Sequence, residues 1–267
     1  MMSTMTPNPP PARPPLPVAT IVLVAANVAV WLLQVLGGLP WLQPSSEQLV
    51  RWGADMPALT LTGDGWRLAT SMFLHGGLLH LALNMSALAF TGPRAQHEFG
   101  TARMLLIYLA GGLLASCAST WWAGVHPFAF GPARPLSVSV GASGAIMALF
   151  GGLLAAALLG LPYHGNPAPE RMLDRDLLKV VAVNVGAGFL IRGVDQAAHV
   201  GGLLAGFAIG CILSVAWRRT GALVGAARLA AIALLLGASL GALFHAGDRD
   251  SLRLLREQLR PLPASDH

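Results

Sequence analysis

Two residues that could act together in catalysis lie inside apolar stretches of the chain. Ser143 is flanked by small residues in the run Gly141–Gly144 (GASG), and His199 lies in the apolar run 197–202 (AAHVGG). Ionisable residues are costly at membrane depth and mark functional sites there. A serine and a histidine are also the smallest set that supplies a nucleophile and its general base. Together they indicate hydrolysis carried out inside a membrane.

A second pair of polar residues precedes the serine. In the segment 66–84, His80 and Asn84 are four residues apart and share one face of a helix. Both can donate hydrogen bonds, and donors aimed at one point in a dry cavity suit an oxyanion hole. His75 lies nearer the outer end of this segment, where a structural hydrogen bond to a loop is the favoured interpretation.

The composition predicts a membrane environment for these residues. Hydrophobic residues make up 54% of the chain and charged residues 11%, and the mean hydropathy is +0.61. This is more apolar than an ordinary water-soluble domain. The net charge of +5 is therefore expected to set membrane orientation and attract anionic lipid, and no nucleic-acid partner is predicted. Cys117 and Cys211 both lie in apolar runs and are interpreted as packing residues, with no disulfide or metal site.

Seven apolar stretches follow the N-terminal tail, most of them near the roughly 20 residues that a bilayer span needs, the fifth being short. They cover residues 18–36, 68–91, 104–123, 140–161, 177–191, 197–217 and 229–245. The predicted fold class is all-α: a polytopic membrane helix bundle with a six-span core and a seventh C-terminal span. The expected domains are a disordered Pro-rich tail (1–17), a six-helix membrane domain (18–217), a loop with the additional helix (218–245) and a polar C-terminal tail (246–267).

The distribution of Lys and Arg predicts the orientation of these spans. With the N-terminus inside, nine of these residues lie in cytoplasmic loops and four in the opposite loops. Such an excess favours a cytoplasmic N-terminus. The four arginines of the C-terminal tail oppose the trend, so a six-span alternative stays open. The favoured topology places Ser143 and His199 near the outer ends of the fourth and sixth spans.

Small residues on the fourth and sixth stretches predict that these two helices pack closely. They recur at helical spacing as Gly144, Ala148, Gly151 and Gly152 on the fourth stretch, and as Gly202, Gly206 and Gly210 after His199 on the sixth. Faces of this kind let membrane helices approach each other. The approach is expected to bring Ser143 within hydrogen-bond reach of His199. Asp195, one turn before His199, could complete a triad, but an N-cap role is favoured.

Taken together, these motifs resemble the rhomboid family of intramembrane serine proteases. The resemblance rests on Trp66-Arg67, the His75-x4-His80-x3-Asn84 spacing, the GASG run around Ser143 and the AHVGG run around His199, in the family's order. It covers the chain from about residue 66 to residue 210. A GxSG motif alone would be a weak signal, since small residues are common in membrane helices.

The resemblance implies a role for each matching residue. Ser143 would be the nucleophile and His199 its general base, in a dyad without a required acid. The side chains of His80 and Asn84, with the backbone N–H of Ser143, would bind the oxyanion. Trp66-Arg67 would belong to the first loop, partly in the outer leaflet.

Two positions depart from the family's pattern. Gln96 stands where the family usually has a glutamate, four residues before Gly100, and Met147 stands where an aromatic ring commonly packs on the catalytic histidine. Methionine sulfur can also pack on an imidazole ring, although less rigidly. These changes are expected to affect fine tuning more than activity.

The resemblance also predicts partners and location. Substrates would be the transmembrane segments of other membrane proteins, cleaved within or beside the bilayer, and no metal or cofactor is required. The arginine-rich, lysine-poor composition suggests a bacterial inner membrane. The alternatives left open are a catalytically inactive relative that binds membrane clients, and a protein that uses His80 and His199 for haem binding or transport. A membrane zinc protease would need an H-E-x-x-H motif, which the sequence lacks.

Overall fold

The computed structural model of the protein describes residues 16–124, 136–159, 178–179, 181–183, 186, 194–215, 221–246 and 249–259. Within these ranges the chain is helical, and its one β-bridge joins Asp55 to Ser139. The helices that follow residue 16 are α1 (Val18–Leu36), α2 (Ser46–Arg51), α3 (Pro57–Thr60), α4 (Arg67–Thr70), α5 (Leu78–Phe99), α6 (Thr101–Gly124), α7 (Ser143–Leu158), α8 (Gln196–Val215), α9 (Ala222–Ala246) and α10 (Arg249–Gln258). A short 3-10 turn over Ser71–Phe73 follows α4.

The length and composition of the described helices fit a multi-pass membrane protein, as the sequence predicts. Four helices, α1, α6, α8 and α9, are long and apolar enough to cross a membrane, and the bent pair Arg67–Phe73 plus Leu78–Phe99 would make a fifth. Helix α7 is apolar but shorter, with 16 residues. The predicted fifth stretch, 177–191, and the Pro-rich tail up to residue 15 lie outside the described residues, the former except for a few positions.

The second predicted stretch is wrong in its bounds. It was expected to be one helix over 68–91, but α4 and the 3-10 turn meet α5 at an angle of 88°. The break falls at Gly77, whose φ of +111° disfavours residues with a side chain. A Cβ there would also overlap the carbonyl of Leu42, and the N–H of Leu78 donates to the carbonyl of Trp41 at 2.8 Å. The apolar run continues through the break, so hydropathy alone does not reveal it.

Residues 37–77, called the connecting segment below, lie across one end of the bundle. The N–H of Gly141, just before α7, donates to the carbonyl of Ser71 in this segment at 2.9 Å. A Cβ on Gly124, at the end of α6, would lie 2.7 Å from Pro57 Cβ. The segment therefore covers the end of the bundle where α7 begins, which we call the site end.

A core of apolar side chains joins the helices below this end. Its largest fully buried members come mainly from α6 and α7, among them Tyr108, Phe150, Met104, Ile107 and Leu149. Cys117 is a free, buried thiol, and Cys211 is free and half-buried, which agrees with the packing role predicted for both.

Candidate active site

Ser143 is the first residue of α7, and Gly141 shapes the turn before it. Gly141 has a φ of +120°, and a Cβ there would lie 2.8 Å from Cε1 and Nε2 of His80. Both the backbone conformation and the neighbouring ring therefore favour glycine at this position. The first N–H groups of a helix have no partner within it and carry its positive dipole end. Ser143 thus lies where backbone donors are available to an anion.

Helices α7 and α8 contact each other backbone to backbone. A Cβ on Gly202 would overlap the carbonyl oxygen of Gly144, and a Cβ on Gly206 would overlap that of Ala148. Contacting residues advance in the same direction along both helices, so the helices run parallel. This confirms the predicted packing of the fourth and sixth stretches.

The first turns of α7 and α8 are adjacent at the site end. A Cβ on Gly144 would lie 3.6 Å from the carbonyl oxygen of Ala198. Gly144 follows Ser143 and Ala198 precedes His199, which is buried with 6% of its surface exposed. His199 is three residues before Gly202, which contacts α7, so it lies on the same face. The fold thus brings Ser143 and His199 to one level at the starts of two parallel helices.

His80 lies beside Gly141, in the turn that leads to Ser143, and a hydrogen bond determines its tautomer. The backbone N–H of Gly76 donates to His80 Nδ1 at 3.2 Å. The neutral ring must then carry its proton on Nε2, the atom that faces Gly141. His80 is also close enough to His199 for the two side chains to interact electrostatically. Its Nε2–H is therefore a donor beside the Ser143 turn.

Asn84 lies one turn further along α5, beside the same glycine. Its side chain is 6% exposed, and Nδ2 donates to the carbonyl of His80 at 3.0 Å. The same Nδ2 lies 3.7 Å from the position of a Cβ on Gly141. An amide has two N–H groups, and the one bonded to His80 orients the side chain. His80 and Asn84 thus lie beside the turn that leads to Ser143, and the start of α8, which carries His199, lies beside the first turn of α7.

His75 takes the structural position expected for it. Its backbone N–H donates to Gln34 Oε1 at 3.1 Å, and its Nδ1 lies 3.2 Å from the carbonyl oxygen of Phe73. Its ring meets the His80 ring edge-on, with 5.3 Å between centroids. His75 therefore fastens the bend before α5 to α1 and supports the ring of His80.

Asp195 caps the helix that carries His199. Its Oδ1 accepts from the N–H of Ala198 at 3.0 Å, and its backbone carbonyl accepts from the N–H of His199 at 3.1 Å. This is the geometry of an N-cap residue bonded to the third helical position, which confirms the favoured interpretation. Its Oδ2 accepts from the hydroxyls of Ser119 and Ser139.

A second buried carboxylate, Asp55, was not found by reasoning from the sequence. It is 1% exposed, and its two oxygens accept from the hydroxyls of Thr60 and Thr120. Burial raises the pKa of Asp55 to about 6, and the nearby Asp195 adds to this effect, while the hydroxyl donors and Arg67 oppose it. Nothing local distinguishes Asp55 from a surface loop carboxylate, because Thr120 is 65 residues away in the chain.

The Trp66-Arg67 pair organises the connecting segment. Arg67 is 8% exposed, and its guanidinium donates to the carbonyls of Val50 and Ala54 and to Asp64. The guanidinium also lies 4.7 Å from the centre of the Trp66 ring. The pair therefore holds the loop over the site end rather than entering the turn at Ser143.

The two departures from the family pattern lie at packed positions. Gln96 Oε1 accepts from the N–H groups of Ala19 and Thr20 at 3.1 and 3.3 Å. Pro17, the N-cap residue of α1, provides no side-chain cap, so an amide oxygen from α5 does so. Met147, one turn after Ser143, is 1% exposed.

These observations define a multi-pass helical membrane protein in which polar groups converge where two parallel helices begin. The family model named Rhomboid domain matches residues 62–216. The rhomboid protease GluP of Bacillus subtilis (strain 168) is 33% identical over 230 residues, which are 86% of this chain and 40% of GluP. The rhomboid protease AarA of Providencia stuartii is 33% identical over 211 residues, which are 74% of this chain and 72% of AarA.

A plant relative extends the comparison. RHOMBOID-like protein 6, mitochondrial, of Arabidopsis thaliana is 36% identical over 175 residues, which are 65% of this chain and 52% of that protein. The chain thus spans about half or less of the length of some relatives, GluP included. It belongs to the rhomboid family.

Proposed function

We propose that this protein is an intramembrane serine endopeptidase that cleaves within or beside the transmembrane segments of other membrane proteins. The observation that supports the proposal is the parallel contact of α7 and α8, whose adjacent first turns carry Ser143 and His199. The naming of GluP and AarA as rhomboid proteases supports the same activity. The cell membrane of a bacterium is the proposed location.

In the proposed reaction Ser143 attacks the carbonyl carbon of the scissile peptide bond. His199 takes the proton of the Ser143 hydroxyl as the bond forms, and returns it to the leaving nitrogen as the peptide bond breaks. The product is an acyl-enzyme ester on Ser143 and a free amine. Water, deprotonated by His199, then attacks the ester and releases the carboxylate product and the serine.

The negative charge of the tetrahedral intermediate would be bound by three donors around the Gly141 turn. They are the backbone N–H of Ser143, the Nε2–H of His80 and an N–H of the Asn84 amide. Preorganised donors of this kind are worth most where water is excluded. The hydrogen bond from Gly76 to His80 Nδ1 contributes here, because it keeps the proton on Nε2.

The site also restricts the form of the substrate. The carbonyls of an intact helix are bonded within the helix, so a transmembrane substrate must unwind locally before Ser143 can reach one. Helix-breaking residues and small side chains near the cleaved bond are therefore proposed as substrate features. No metal or cofactor is needed for these steps.

The proposed orientation places the N-terminus in the cytoplasm and the site end outside. It rests on the excess of Lys and Arg in the inner loops. The number of spans is a separate matter, and the end of α9 bears on it, because the Phe244 ring lies 3.0 Å from the position of a Cβ on Gly65 in the connecting segment. The end of α9 and the connecting segment are thus proposed to share one side, as a topology with a seventh span requires. Cysteine-accessibility labelling should find residues 47–64 and the start of α10 both outside; opposite sides would remove the seventh span.

The proposal is tested by cleavage of a single-span membrane protein that carries helix-breaking residues near the outer end of its span. Ser143→Ala and His199→Ala should each reduce cleavage by the detergent-purified protein to background, and the double variant should be no worse than either. Substantial cleavage by Ser143→Ala would remove the serine-protease mechanism.

A further inference from the structure

Two carboxylates near the site are joined through one serine. Ser139 and Asp55 exchange both backbone hydrogen bonds, at 2.9 and 3.1 Å. The hydroxyl of the same Ser139 donates to Oδ2 of Asp195. The loop before α7, the connecting segment and the start of α8 are therefore fastened at a single residue.

Helix α6 supplies one donor to each carboxylate from two successive residues. Ser119 donates to Asp195, and Thr120 donates to Asp55 at 2.6 Å. Both hydroxyl residues are buried, with exposures of 6% and 0%. We call Asp55, Asp195, Ser119, Thr120 and Ser139 the carboxylate network. It links four separate parts of the chain, and its member Ser139 lies four residues before Ser143.

Asp195 has more contacts than capping a helix requires. One carboxylate oxygen is enough to accept from the N–H of Ala198, as serine and threonine do at other helix starts. The second oxygen receives the hydroxyls of Ser119 and Ser139. These bonds fix the position of the cap relative to α6 and to the loop that leads to Ser143.

We propose that Asp195 is a positioning residue for His199, acting through the first turn of α8 with Ser119 and Ser139 as its anchors. The inference rests on the proposed function of His199 as the general base. The contacts of Gly202 and Gly206 with α7 fix α8 from Gly202 onward. His199 lies in the turn before them, where the cap at Asp195 begins the helix and Ala198 approaches Gly144 less closely. The carboxylate network sets that turn, and a displacement of about an ångström costs on the order of 100-fold in rate.

The Asp195→Ser substitution distinguishes the role of Asp195 in the carboxylate network from its role as a helix cap. Serine is a good N-cap residue, so the bond to Ala198 is kept while the acceptor for Ser119 and Ser139 is lost. We expect kcat to fall by about 10–100-fold with KM within a few-fold of the wild-type value. The rate constant for phosphonylation of Ser143 by a fluorophosphonate should fall in parallel, because that step also needs His199 to take the serine proton.

Removal of the anchors provides an independent route to the same test. Ser119→Ala and Ser139→Ala should each lower kcat in the same direction but less, and neither should add to the loss in Asp195→Ser, since they act through one carboxylate. Thr91→Val is the matched control, because the Thr91 hydroxyl is buried and donates only to Ala87 of its own helix in the described contacts. It should leave kcat unchanged.

Two outcomes overturn the inference without affecting the proposed function. One is wild-type kcat and labelling in Asp195→Ser; the other, if that variant does not fold, is wild-type kcat in the Ser119→Ala/Ser139→Ala double variant. In Asp195→Ser, a lower thermal stability together with changes of similar size in kcat and in KM would also count against the inference, because that pattern indicates a structural role. Failure of the proposed function is seen separately, as activity in Ser143→Ala.

Discussion

Two regions of the molecule are held together in different ways. Helices α7 and α8 meet through backbone atoms, with Gly202 and Gly206 against carbonyl oxygens. Helix α9 has only 6% of its most apolar stretch buried, against 61% for α6. The C-terminal end is fastened instead by side chains, among them Phe244 over Gly65 and Arg256 on Asp64. The position of the site residues therefore depends on backbone contacts, which change only if a whole helix shifts. Each C-terminal contact, in contrast, can be removed by substituting one side chain.

The site region should be the more sensitive to loss of one polar group. Asn84→Ala is expected to lower kcat by about 100–1000-fold, as loss of one preorganised oxyanion donor does. Asn27→Ala is the matched control, because Asn27 is also buried and its amide donates to the carbonyl four residues earlier, at 2.8 Å. Asn27 belongs to α1, and its side chain faces Tyr108 of α6 rather than the site. The control substitution should lower stability and leave kcat within a few-fold. Equal kcat values for the two variants would reduce Asn84 to a packing role.

Gly-to-Val substitutions compare the two regions directly. Gly202→Val should displace α8 from α7, lower activity on the order of 100-fold and reduce the free energy of unfolding by roughly 1–3 kcal/mol through overpacking. Gly237→Val in α9 should be tolerated, since no described atom lies within 4 Å of a Cβ there. Val200→Leu, at a position 38% exposed, should also be tolerated. Activity assays and thermal unfolding in detergent measure both effects, and full activity in Gly202→Val would mean that α7 and α8 are not packed as described.

Two carboxylates of the connecting segment, Asp55 and Asp64, should respond to pH with opposite signs. Burial raises the pKa of Asp55 from 3.8 to about 6, so its contribution to stability is present below pH 3.8 and is lost as the pH rises through 6, by up to about 3 kcal/mol. Partial burial opposes the shift at Asp64, but hydrogen bonds from Arg256 and Arg67 lower its pKa below 3.8. Its contribution is present above pH 3.8 and is lost on acidification.

Thermal unfolding of Asp55→Asn and Asp64→Asn between pH 3 and pH 7 measures this difference. Relative to the wild-type protein, Asp55→Asn should become more stable as the pH rises, and Asp64→Asn less stable. A curve for Asp55→Asn that runs parallel to the wild-type curve would contradict the proposed burial of a titrating carboxylate.

The C-terminal contacts should show the smallest effect on activity. Arg256 donates to the carbonyl of Leu59, to Thr62 and to Asp64, at 3.2, 3.0 and 2.8 Å. Arg256→Ala should lower the free energy of unfolding by roughly 1 kcal/mol, a value reduced by its partial exposure, and change kcat only a few-fold. Arg253→Ala is the control, since its guanidinium pairs with Asp250 at an exposed position. A loss of kcat as large as that in Gly202→Val would show that α10 takes part in the site.

Much of the site could be predicted because its signals are local. The spacing of His80 and Asn84 and the glycine period after His199 each lie on one helix, where the sequence fixes which residues share a face. The limits of α1 were predicted correctly, since Pro17 precedes it and Gly37 follows it.

The remaining features depend on contacts between distant segments. The bend at Gly77 depends on the Leu42 carbonyl, and the carboxylate network depends on partners 56–76 residues apart. The docking of α10, in a stretch predicted only as a polar tail, depends on Arg256 and Asp64, 192 residues apart. Neither hydropathy nor periodicity contains information about such pairs.

The central claim is that His199 activates Ser143, and trapping of the nucleophile tests it most directly. The detergent-purified protein is treated with a fluorophosphonate, and the modified residue and its rate of labelling are determined by mass spectrometry for the wild-type protein and for His199→Ala. The account predicts a single phosphonyl group on Ser143 Oγ, formed with loss of fluoride, and labelling at background rate in His199→Ala. Labelling of another residue, or an unchanged rate in His199→Ala, would contradict it.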